Sequence, residues 1–297
     1  KGRTVMVILS IAVGVMAVGM ITAGNKMVID QMAQSHIESN PSHAMLFIAG
    51  VVNEDTIRSM ANVPGVKEIE GFAEANIRWR TTPSADWEDG HIISYSDFEN
   101  QQFDRLLLEG GNWPDGKLIG VEQAHIDSFN APSIGGTILI EVNQRSRSLT
   151  VDGIMHNPFE WPLPFGWDAA YYVSQDTFEW VAGFRGANRL RFTLEDYSED
   201  NVYQVADLIN EKLKKQGMSV GFVEVLHPEE HYLQEMINGV GMVLTVMAIG
   251  SLGLSTMLVI NTMNALIAQQ IPQIGMMKAV GGLRRQIMLL YFTMIFI

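Results

Sequence analysis

Two long runs without a charged residue constrain this sequence more than any other feature. Thr4–Asn25 has 22 residues and Met236–Met277 has 42 residues without a single Asp, Glu, Lys or Arg. A helix that crosses a bilayer needs about 20 mainly apolar residues. The sequence therefore predicts a membrane protein with α-helical transmembrane segments, and the polar stretch between the runs predicts an α+β domain outside the membrane.

Charge is divided between the same regions. The ends carry five basic residues, whereas the middle carries 15 basic and 33 acidic residues, a balance of −18. Basic flanks mark the cytoplasmic side of a membrane protein. We therefore expect a multi-pass protein of the plasma or inner membrane, with a cytoplasmic N-terminus and an extracytoplasmic acidic domain. An acidic domain would repel phosphates, so we expect no nucleic acid among the partners. Membrane lipids are expected as partners of the apolar helices.

The first run also has features of a cleaved signal peptide, because basic Lys1 and Arg3 precede it. The run is long for the apolar core of such a peptide, and Thr22–Gly24 is a weak cleavage site, so a retained helix is the favoured interpretation. The first residue is Lys and Ile297 lies within an apolar run, so we expect part of a longer protein. The chain has no cysteine, which excludes disulfides and thiolate metal sites.

The first run continues into an amphipathic stretch, which predicts one helix from Thr4 to about Ser39 that ends at Asn40–Pro41. Residues 1–42 are therefore the first transmembrane helix and its extracytoplasmic extension. A helix that continues out of the membrane would couple the bilayer mechanically to the outer domain.

The extracytoplasmic domain is predicted to span residues 43–226. Residues 43–82 and 187–226 have β-α-β patterns, and a mostly-β subdomain at about 83–186 is predicted to be inserted between them. The predicted elements are strands at His43–Val52, Thr137–Val142, Ser148–Ile154, Leu190–Leu194 and Val220–Leu226, a pair of strands within Val66–Arg80, and helices at Asn53–Met60 and Ser198–Gln216.

The C-terminal part is predicted to return to the membrane twice. His227–Pro228 would begin a second transmembrane helix over residues 227–270, and Ile271–Pro272 would break it. A short cytoplasmic helix at 271–283 and the start of a third transmembrane helix at 284–297 would follow. Small residues would allow close helix packing in the second helix: Gly239, Gly241, Gly250, Gly253, Ser251 and Ser255.

Two motifs resemble chemical sites. Gly111–Lys117 matches the glycine and lysine positions of a nucleotide-binding loop, but Leu118 follows where Ser or Thr would hold magnesium. A turn followed by a strand is the better interpretation. His227 and His231 have the spacing of zinc ligands on one helix face, but the order around Pro228 favours a helix start.

We find no catalytic constellation, so we expect no enzyme activity and no cofactor or metal in this chain. Glu195, Asp196, Glu199 and Asp200 are interpreted as a solvated helix entry. The segment Pro158–Trp167 is rich in proline and aromatic residues and is predicted to be an ordered loop. Its aromatic residues could contact a substrate or partner, or pack within the inserted subdomain: Phe159, Trp161, Phe165 and Trp167.

The segment Val259–Ile287 resembles the signature of FtsX-like ABC-transporter permeases. In that family a membrane helix ends in an Asn-Thr-Met-like triplet and a coupling helix carries Ile-Gly and Lys-Ala-x-Gly elements. The matching residues are Asn261, Thr262, Met263, Ile274, Gly275, Lys278, Ala279 and Gly281. The outer domain more loosely resembles the MacB-type periplasmic domain, on Gly110–Pro114, Leu118–His125, Ser133–Val142 and Leu149–Ile154.

The resemblance implies a permease subunit that passes ATP binding and hydrolysis to the outer domain by mechanotransmission. It implies a cytoplasmic ABC ATPase subunit as partner, with ATP and magnesium held there or on a fused domain, and a second permease in a homo- or heterodimer. The residues implied to couple to the ATPase are Ile274, Gly275, Met277, Lys278, Ala279, Gly281, Arg284 and Arg285. The family's usual charges before Ile-Gly are replaced here by Gln269–Gln273, which includes a proline.

Several functions stay open at this point. Export of a peptide or drug, release of a lipoprotein and control of a cell-wall hydrolase are not separable from the sequence. A different class of protein, a membrane-anchored extracytoplasmic receptor or sensor, would normally continue into a signalling helix, whereas this chain turns back at Leu283. A membrane-anchored hydrolase would need catalytic groups, which we do not find.

Overall fold

The computed structural model describes residues 2–160, 168–231 and 233–296 and divides the chain into two compact units. The first unit comprises residues 1–30 and 233–297, and the second comprises residues 31–232. The helices are α1 (Gly2–Glu38), α2 (Glu54–Met60), α3 (Gln123–Ser128), α4 (Gln175–Ala182), α5 (Glu199–Lys214), α6 (Gln234–Ala279) and α7 (Arg284–Phe296).

Ten strands lie in the second unit and form one connected sheet. They are β1 (Ala44–Val52), β2 (Val66–Arg80), β3 (Glu88–Tyr95), β4 (Leu107–Gly111), β5 (Leu118–Glu122), β6 (Thr137–Val142), β7 (Arg145–His156), β8 (Ala169–Val173), β9 (Ala187–Leu194) and β10 (Ser219–Val225). The fold is therefore a mixed α/β sheet domain, as the sequence predicts at this coarse level.

Four strands and two helices form a ferredoxin-like arrangement. The strands pair in the antiparallel order β10-β1-β9-β2, so that β1-α2-β2 and β9-α5-β10 are two interleaved split β-α-β units. Alternate side chains of β1 and β9 are buried against α5, which contributes apolar residues at helical spacing. Asn53 and Ser198 accept hydrogen bonds at the N-termini of α2 and α5, as expected for cap residues.

The residues between β2 and β9 form a closed barrel. The pairings run β2-β3-β8-β5-β7-β6 and return to β2, so no edge remains in this circuit. The long strand β2 makes this possible, because its first half pairs with β9 and its second half pairs with β3 and β6. Trp79 and Tyr171 are fully buried inside and meet edge to face, with ring centroids 5.4 Å apart.

A third apolar cluster lies on the opposite side of the sheet from α5. It contains Phe72, Tyr95 and Phe98, and the loop that connects β3 with β4 supplies part of it. Phe72 and Tyr95 stack with ring centroids 5.3 Å apart. The loop is therefore anchored to the sheet by packing as well as by the polar contacts described below.

The first unit contains an antiparallel pair of helices, formed by α1 and α6, followed by the shorter helix α7. An added Cβ at Gly14 of α1 would lie 3.4 Å from Leu252 of α6, and one at Gly241 of α6 would clash with the Asn25 side chain. Glycine thus allows close approach at both ends of this contact. Among the small residues noted in the sequence, Gly241 and Ser255 lie at the contact.

Two helices are long and apolar enough to cross a membrane by length and composition. They are Ala12–Glu38, with a mean hydropathy of 1.5, and Gln234–Ala279, with a mean hydropathy of 2.1. The prediction of one helix from Thr4 to about Ser39 is confirmed by α1. The predicted strands beginning at His43, Thr137 and Leu190 are confirmed as β1, β6 and β9.

Three sequence-based expectations are wrong in their details. Pro272 does not break the second apolar helix, because α6 continues through it to Ala279, and no separate helix occupies 271–283. A proline removes one backbone donor, which a long apolar helix tolerates. The helix does not begin at His227–Pro228 but at Gln234, because the preceding segment is held by the sheet domain. Val66–Arg80 is one strand of 15 residues rather than two.

The buried ion pair between Arg191 and Asp104 yields a stability prediction. We expect Asp104→Ala to lower the free energy of unfolding by about 3–5 kcal/mol, because it leaves a buried guanidinium without its carboxylate. Urea unfolding of the full chain in detergent, followed by tryptophan fluorescence, measures this change. Arg185→Ala is the control, since Arg185 pairs with Asp176 and Glu179 at the surface and its loss should change little.

Adding Arg191→Met to Asp104→Ala should restore part of the lost stability, because it removes the unpaired charge. An Asp104→Ala variant that is as stable as the Arg185→Ala variant would contradict the assignment.

Candidate functional site

The residues expected to couple to an ATPase lie together at the turn between α6 and α7. Ile274 to Ala279 form the last turns of α6, Gly281 lies in the connection, and Arg284 and Arg285 form the first turn of α7. Lys278, Arg284 and Arg285 are exposed, and they are the only basic residues after Lys215 in the sequence. The structure thus brings the predicted residues into one short segment.

The turn has a defined backbone geometry that depends on two glycines. Gly281 has a φ of 95° and donates its N–H to Lys278 O at 3.1 Å, and Gly282 donates to Met277 O at 2.9 Å. This pair of bonds is a Schellman motif, in which a residue in the left-handed conformation ends a helix. The Gln286 side chain then accepts the Leu283 N–H at 3.1 Å and caps α7.

Apolar side chains surround this turn and form an open groove. Tyr291 of α7 donates a hydrogen bond to Gln270 of α6 at 3.1 Å, and Ile287 is buried between the helices. Val280 is 90% exposed. The groove is lined by Met276, Met277, Val280, Gly282, Ile287 and Leu290. The turn therefore presents an apolar surface with three cations beside it.

A second cluster lies where the chain enters and leaves the sheet domain. His36 in the last turns of α1 is buried, and its Nε2 lies 2.9 Å from the backbone oxygen of His227. The His36 ring is packed against Phe159 and meets the His231 ring edge to face, with centroids 5.6 Å apart. His231 Nε2 lies 2.9 Å from Pro158 O. We name His36, His227, His231 and Phe159 the root cluster.

The loop between β3 and β4 holds the end of α1 from another side. Asp104 donates its N–H to Asn40 O at 3.2 Å, and Arg105 donates to Ser39 O at 3.0 Å. The Asp104 carboxylate accepts the N–H of Ser42 at 3.1 Å and its hydroxyl at 2.8 Å. Asp104 has a φ of 48°, a conformation that aspartate tolerates better than most residues. With the bond from the Asn40 side-chain amide to Gln102 O at 2.6 Å, five hydrogen bonds tie the chain's entry to this loop.

The same carboxylate is paired with a buried arginine of the sheet. Arg191 Nε of β9 lies 3.0 Å from Asp104 Oδ2, and its Nη1 donates to the Tyr95 hydroxyl at 3.0 Å. The guanidinium lies over the Phe72 ring, 4.3 Å from its centroid. Burial raises the pKa of Tyr95 to about 12, so the hydroxyl stays protonated. Burial likewise raises the pKa of Glu70, whose carboxylate accepts N–H groups from the same loop.

A third polar group brackets the predicted aromatic loop. His91 of β3 lies between two carboxylates, with Nδ1 3.1 Å from Asp168 and Nε2 3.6 Å from Glu160. Burial disfavours the imidazolium, but the contacts with Asp168 and Glu160 outweigh burial and raise the pKa of His91 to about 10. The hydrogen bond from His91 lowers the pKa of Asp168. His91 therefore joins the residues on either side of 161–167.

Only one of the four aromatic residues proposed for substrate or partner contact lies among the described residues. Trp161, Phe165 and Trp167 lie outside the described residues. Phe159 is described, and it belongs to the root cluster, where it packs against His36 and stacks on His231. Phe159 is thus placed at the base of the sheet domain.

The segment that resembles a nucleotide-binding loop is a turn, as predicted. Gly116 has a φ of 52° and donates to the side chain of Asp115, and Leu118 N–H bonds to Asp115 O at 3.1 Å. Strand β5 begins at Leu118, so the glycine turn leads into a strand and not into the helix that a nucleotide-binding loop requires. Across the described ranges, no three His, Asp or Glu residues are placed to hold a metal ion.

The sequence did not predict the root cluster or the Arg191–Asp104 pair. His227 and His231 were noted only for their spacing, and their main contact, His36, lies 191 residues from His227. The available signal was the placement of four of the seven histidines, at 36, 43, 227 and 231, on either side of the sheet domain.

The described residues define the class of protein. It has a mixed α/β sheet domain and two helices that are long and apolar enough to cross a membrane. No protein-family profile matches the chain. No curated protein matches it by sequence.

Three solved structures are similar to this chain. The extracellular domain of the noncanonic ABC-type transporter YknZ from Gram-positive bacteria is 12% identical, with a TM-score of 0.41, and the match covers 63% of this chain and 100% of that one. The periplasmic region of MacB from Actinobacillus actinomycetemcomitans is 11% identical, with a TM-score of 0.41, over 69% and 94% of the two chains.

A domain of a permease protein from Porphyromonas gingivalis is 10% identical, with a TM-score of 0.39, over 69% and 97% of the two chains. The first two are named as an extracellular domain and a periplasmic region, and the second is from MacB, the family that the outer domain resembles in sequence. The TM-scores lie below 0.5, and the function proposed below therefore rests on this chain's own residues.

The His91 group yields a pH prediction. Because the pKa of His91 in the folded state is about 10, above the ordinary value of 6.5, its ion pairs stabilise the fold fully below pH 6.5 and lose their effect as the pH rises toward 10. The stability lost in His91→Gln should exceed about 1 kcal/mol at pH 6 and shrink toward zero at pH 10.

Urea unfolding of both proteins at pH 6, 8 and 10 measures this difference. His43→Gln is the control, since burial lowers the pKa of His43, so its substitution should not cost more stability at pH 6 than at pH 10. A difference for His91→Gln that is constant across the range would contradict the assignment.

Proposed function

We propose that this chain is the permease subunit of an ABC-transporter complex. It transmits ATP binding and hydrolysis by a cytoplasmic ATPase to its extracytoplasmic sheet domain, and so exports or releases a substrate such as a peptide, drug or lipoprotein. The observation that carries this proposal is the α6–α7 turn. It unites the permease-like signature of Asn261–Gly281 with the three Lys and Arg residues that follow Lys215 in the sequence.

The distribution of charge supports the membrane orientation that we propose for the chain. The three cations at the turn lie next to two apolar helices, whereas the acidic residues belong to the sheet domain and its connections. Positively charged connections stay in the cytoplasm, where the ATPase and its ATP and magnesium would be. In this arrangement the turn faces the ATPase and the sheet domain lies outside.

Helix length supports a mechanical role. Helix α6 has 46 residues, which at about 1.5 Å per residue is roughly 69 Å of helix. The hydrocarbon core of a bilayer is only about 30 Å thick. A continuous helix of this length extends beyond the membrane, and its continuity through Pro272 lets a displacement at the turn travel along it.

The contacts at the base of the sheet domain would pass such a displacement on to the sheet. The end of α1 is bonded to the loop after β3, and through Asp104 to Arg191 in the centre of the sheet. The Leu226 N–H bonds to His43 O at 2.9 Å, which joins the leaving chain to the entering one. Motion of either end would therefore reach the sheet through buried contacts.

The surface at the turn specifies the ATPase contact that we propose. Gln269–Gln273 lacks the charges common in the resembling family, and apolar Ile274 and Met277 lie beside the basic residues. The ATPase should therefore present an apolar surface with acidic residues at its border. A second permease, identical or not, completes the complex, and lipid surrounds the apolar helices.

The orientation can be tested by cysteine labelling, because the natural chain has no cysteine. In intact spheroplasts, Arg58→Cys in α2 should react with a membrane-impermeant maleimide, whereas Lys278→Cys should react only after permeabilisation. Both positions are exposed in the structure, so burial does not limit either reaction. Labelling of Lys278→Cys in sealed spheroplasts would overturn the orientation.

Coupling can be tested at the turn itself. An added Cβ at Gly275 meets no described atom within 4 Å, so Gly275→Ala should fold and couple normally, whereas Gly275→Trp fills the proposed contact surface. Lys278→Glu reverses a charge there. We expect both disruptive variants to lower substrate-stimulated ATP hydrolysis by the purified complex at least tenfold, with the Gly275→Ala complex as control.

The co-purified partner should carry a nucleotide-binding loop, identified by mass spectrometry, and Lys278→Cys should crosslink to it while Arg58→Cys should not. Full stimulation in both disruptive variants would reject the turn as the coupling site. The absence of any ATPase partner would reject the transporter function.

A further inference from the structure

The root cluster contains two buried histidines in contact, and no part of the proposed function uses their chemistry. His36 is 1% exposed and His231 is 6% exposed. They belong to the segments through which the chain enters and leaves the sheet domain. Each imidazole bonds to a backbone carbonyl of a segment distant in sequence, His36 to His227 O and His231 to Pro158 O.

The hydrogen bonds define which nitrogen carries the proton. A carbonyl oxygen accepts, so Nε2 of each ring must donate, and a neutral ring then has no proton on Nδ1. His36 Nδ1 is buried and has no hydrogen-bond partner. A second proton on His36 would therefore create a buried N–H without an acceptor, which is costly.

The neighbouring groups add to this preference. Two protonated rings with centroids 5.6 Å apart would repel each other inside an apolar setting that includes Phe159. Burial is the largest effect and lowers the pKa of His231; the bond to Pro158 O opposes it, and the proximity of His36 adds a smaller lowering effect.

The other titratable groups around the cluster lie toward its exposed side. His227 Nε2 is 3.9 Å from Glu199 at the start of α5, and its ring packs on Tyr197. Tyr197 also packs on His43, whose pKa is lowered by burial and by Lys67. The Glu199 carboxylate lies beside the exposed His227 ring and not beside the buried rings of His36 and His231.

We propose that the root cluster is an acid-sensitive clasp. At neutral pH it holds the end of α1 against the segment 227–231, and acidification releases the two segments from each other. The sign follows from linkage: burial lowers the pKa of His231 in the closed state, so that state binds fewer protons than the released one and loses stability as the pH falls below 6.5. This property belongs to the sheet domain and does not depend on an ATPase.

Hydrogen exchange of the full chain in detergent, measured by mass spectrometry, tests the clasp directly. After correction for intrinsic exchange rates, amides of 226–231 should open about tenfold more often at pH 5 than at pH 7.5. Amides of α5 and β9 serve as internal controls and should keep their protection, which separates local release from acid unfolding.

The matched variant is the double substitution His36→Gln and His231→Gln. The glutamine amide can donate to the same carbonyls as Nε2 but cannot gain a proton, so the pH response of 226–231 should disappear. His227→Gln is the control, because its side chain lies outside the buried contact, and it should keep the natural response.

The natural chain alone can reject the proposal. Equal protection of 226–231 at both pH values would overturn it, whether or not the double variant folds. If the natural chain responds to pH, the double variant is the second test. A folded double variant with the same response would show that other groups cause it and would overturn the role of these two histidines. Neither outcome depends on substrate-stimulated ATP hydrolysis, so the clasp and the transporter function fail independently.

Discussion

The buried ion pair between Arg191 and Asp104 is the contact on which the arrangement of the sheet domain depends. Arg191 lies in the central strand β9, and its charge must be paired because water is excluded there. Asp104 supplies that charge only if the loop after β3 folds over the sheet. The same loop then binds Ser39, Asn40 and Ser42 at the end of α1. One electrostatic requirement thus fixes a loop and the chain's point of entry.

Local sequence patterns predicted many of the helices and strands. They failed where a feature depends on contacts between residues that are distant in sequence. The alternation in β9 and the helical spacing in α5 are strong local signals, and their bounds agree with the structure to within a few residues. Closure of the barrel requires β2 to pair with β6, about 60 residues away, and no local pattern contains that information. Strand β8, buried along its whole length, has no alternation and was not recognised.

The two candidate sites also differ in how far the sequence predicts them. The turn at Gly281 could be found because its glycines, its cations and its family-like motif are neighbours in sequence. The proline beside it was misinterpreted, because a propensity argument gives too little weight to the apolar helix on both sides of Pro272. The root cluster joins residues near 36, 159 and 229, and each of them alone has an ordinary structural explanation. Only the fold shows that they meet.

The two contacts at the base of the sheet domain act on different connections. Asp104 and Arg191 tie the entering segment to the sheet, whereas the root cluster ties it to the leaving segment. Opening the root cluster leaves the entering segment bound through Ser42, and leaves β10 paired with β1. Acidification should therefore loosen the connection between the two ends without unfolding the sheet. In the transporter that we propose, a domain driven through both ends would then respond differently to the same displacement at acidic pH.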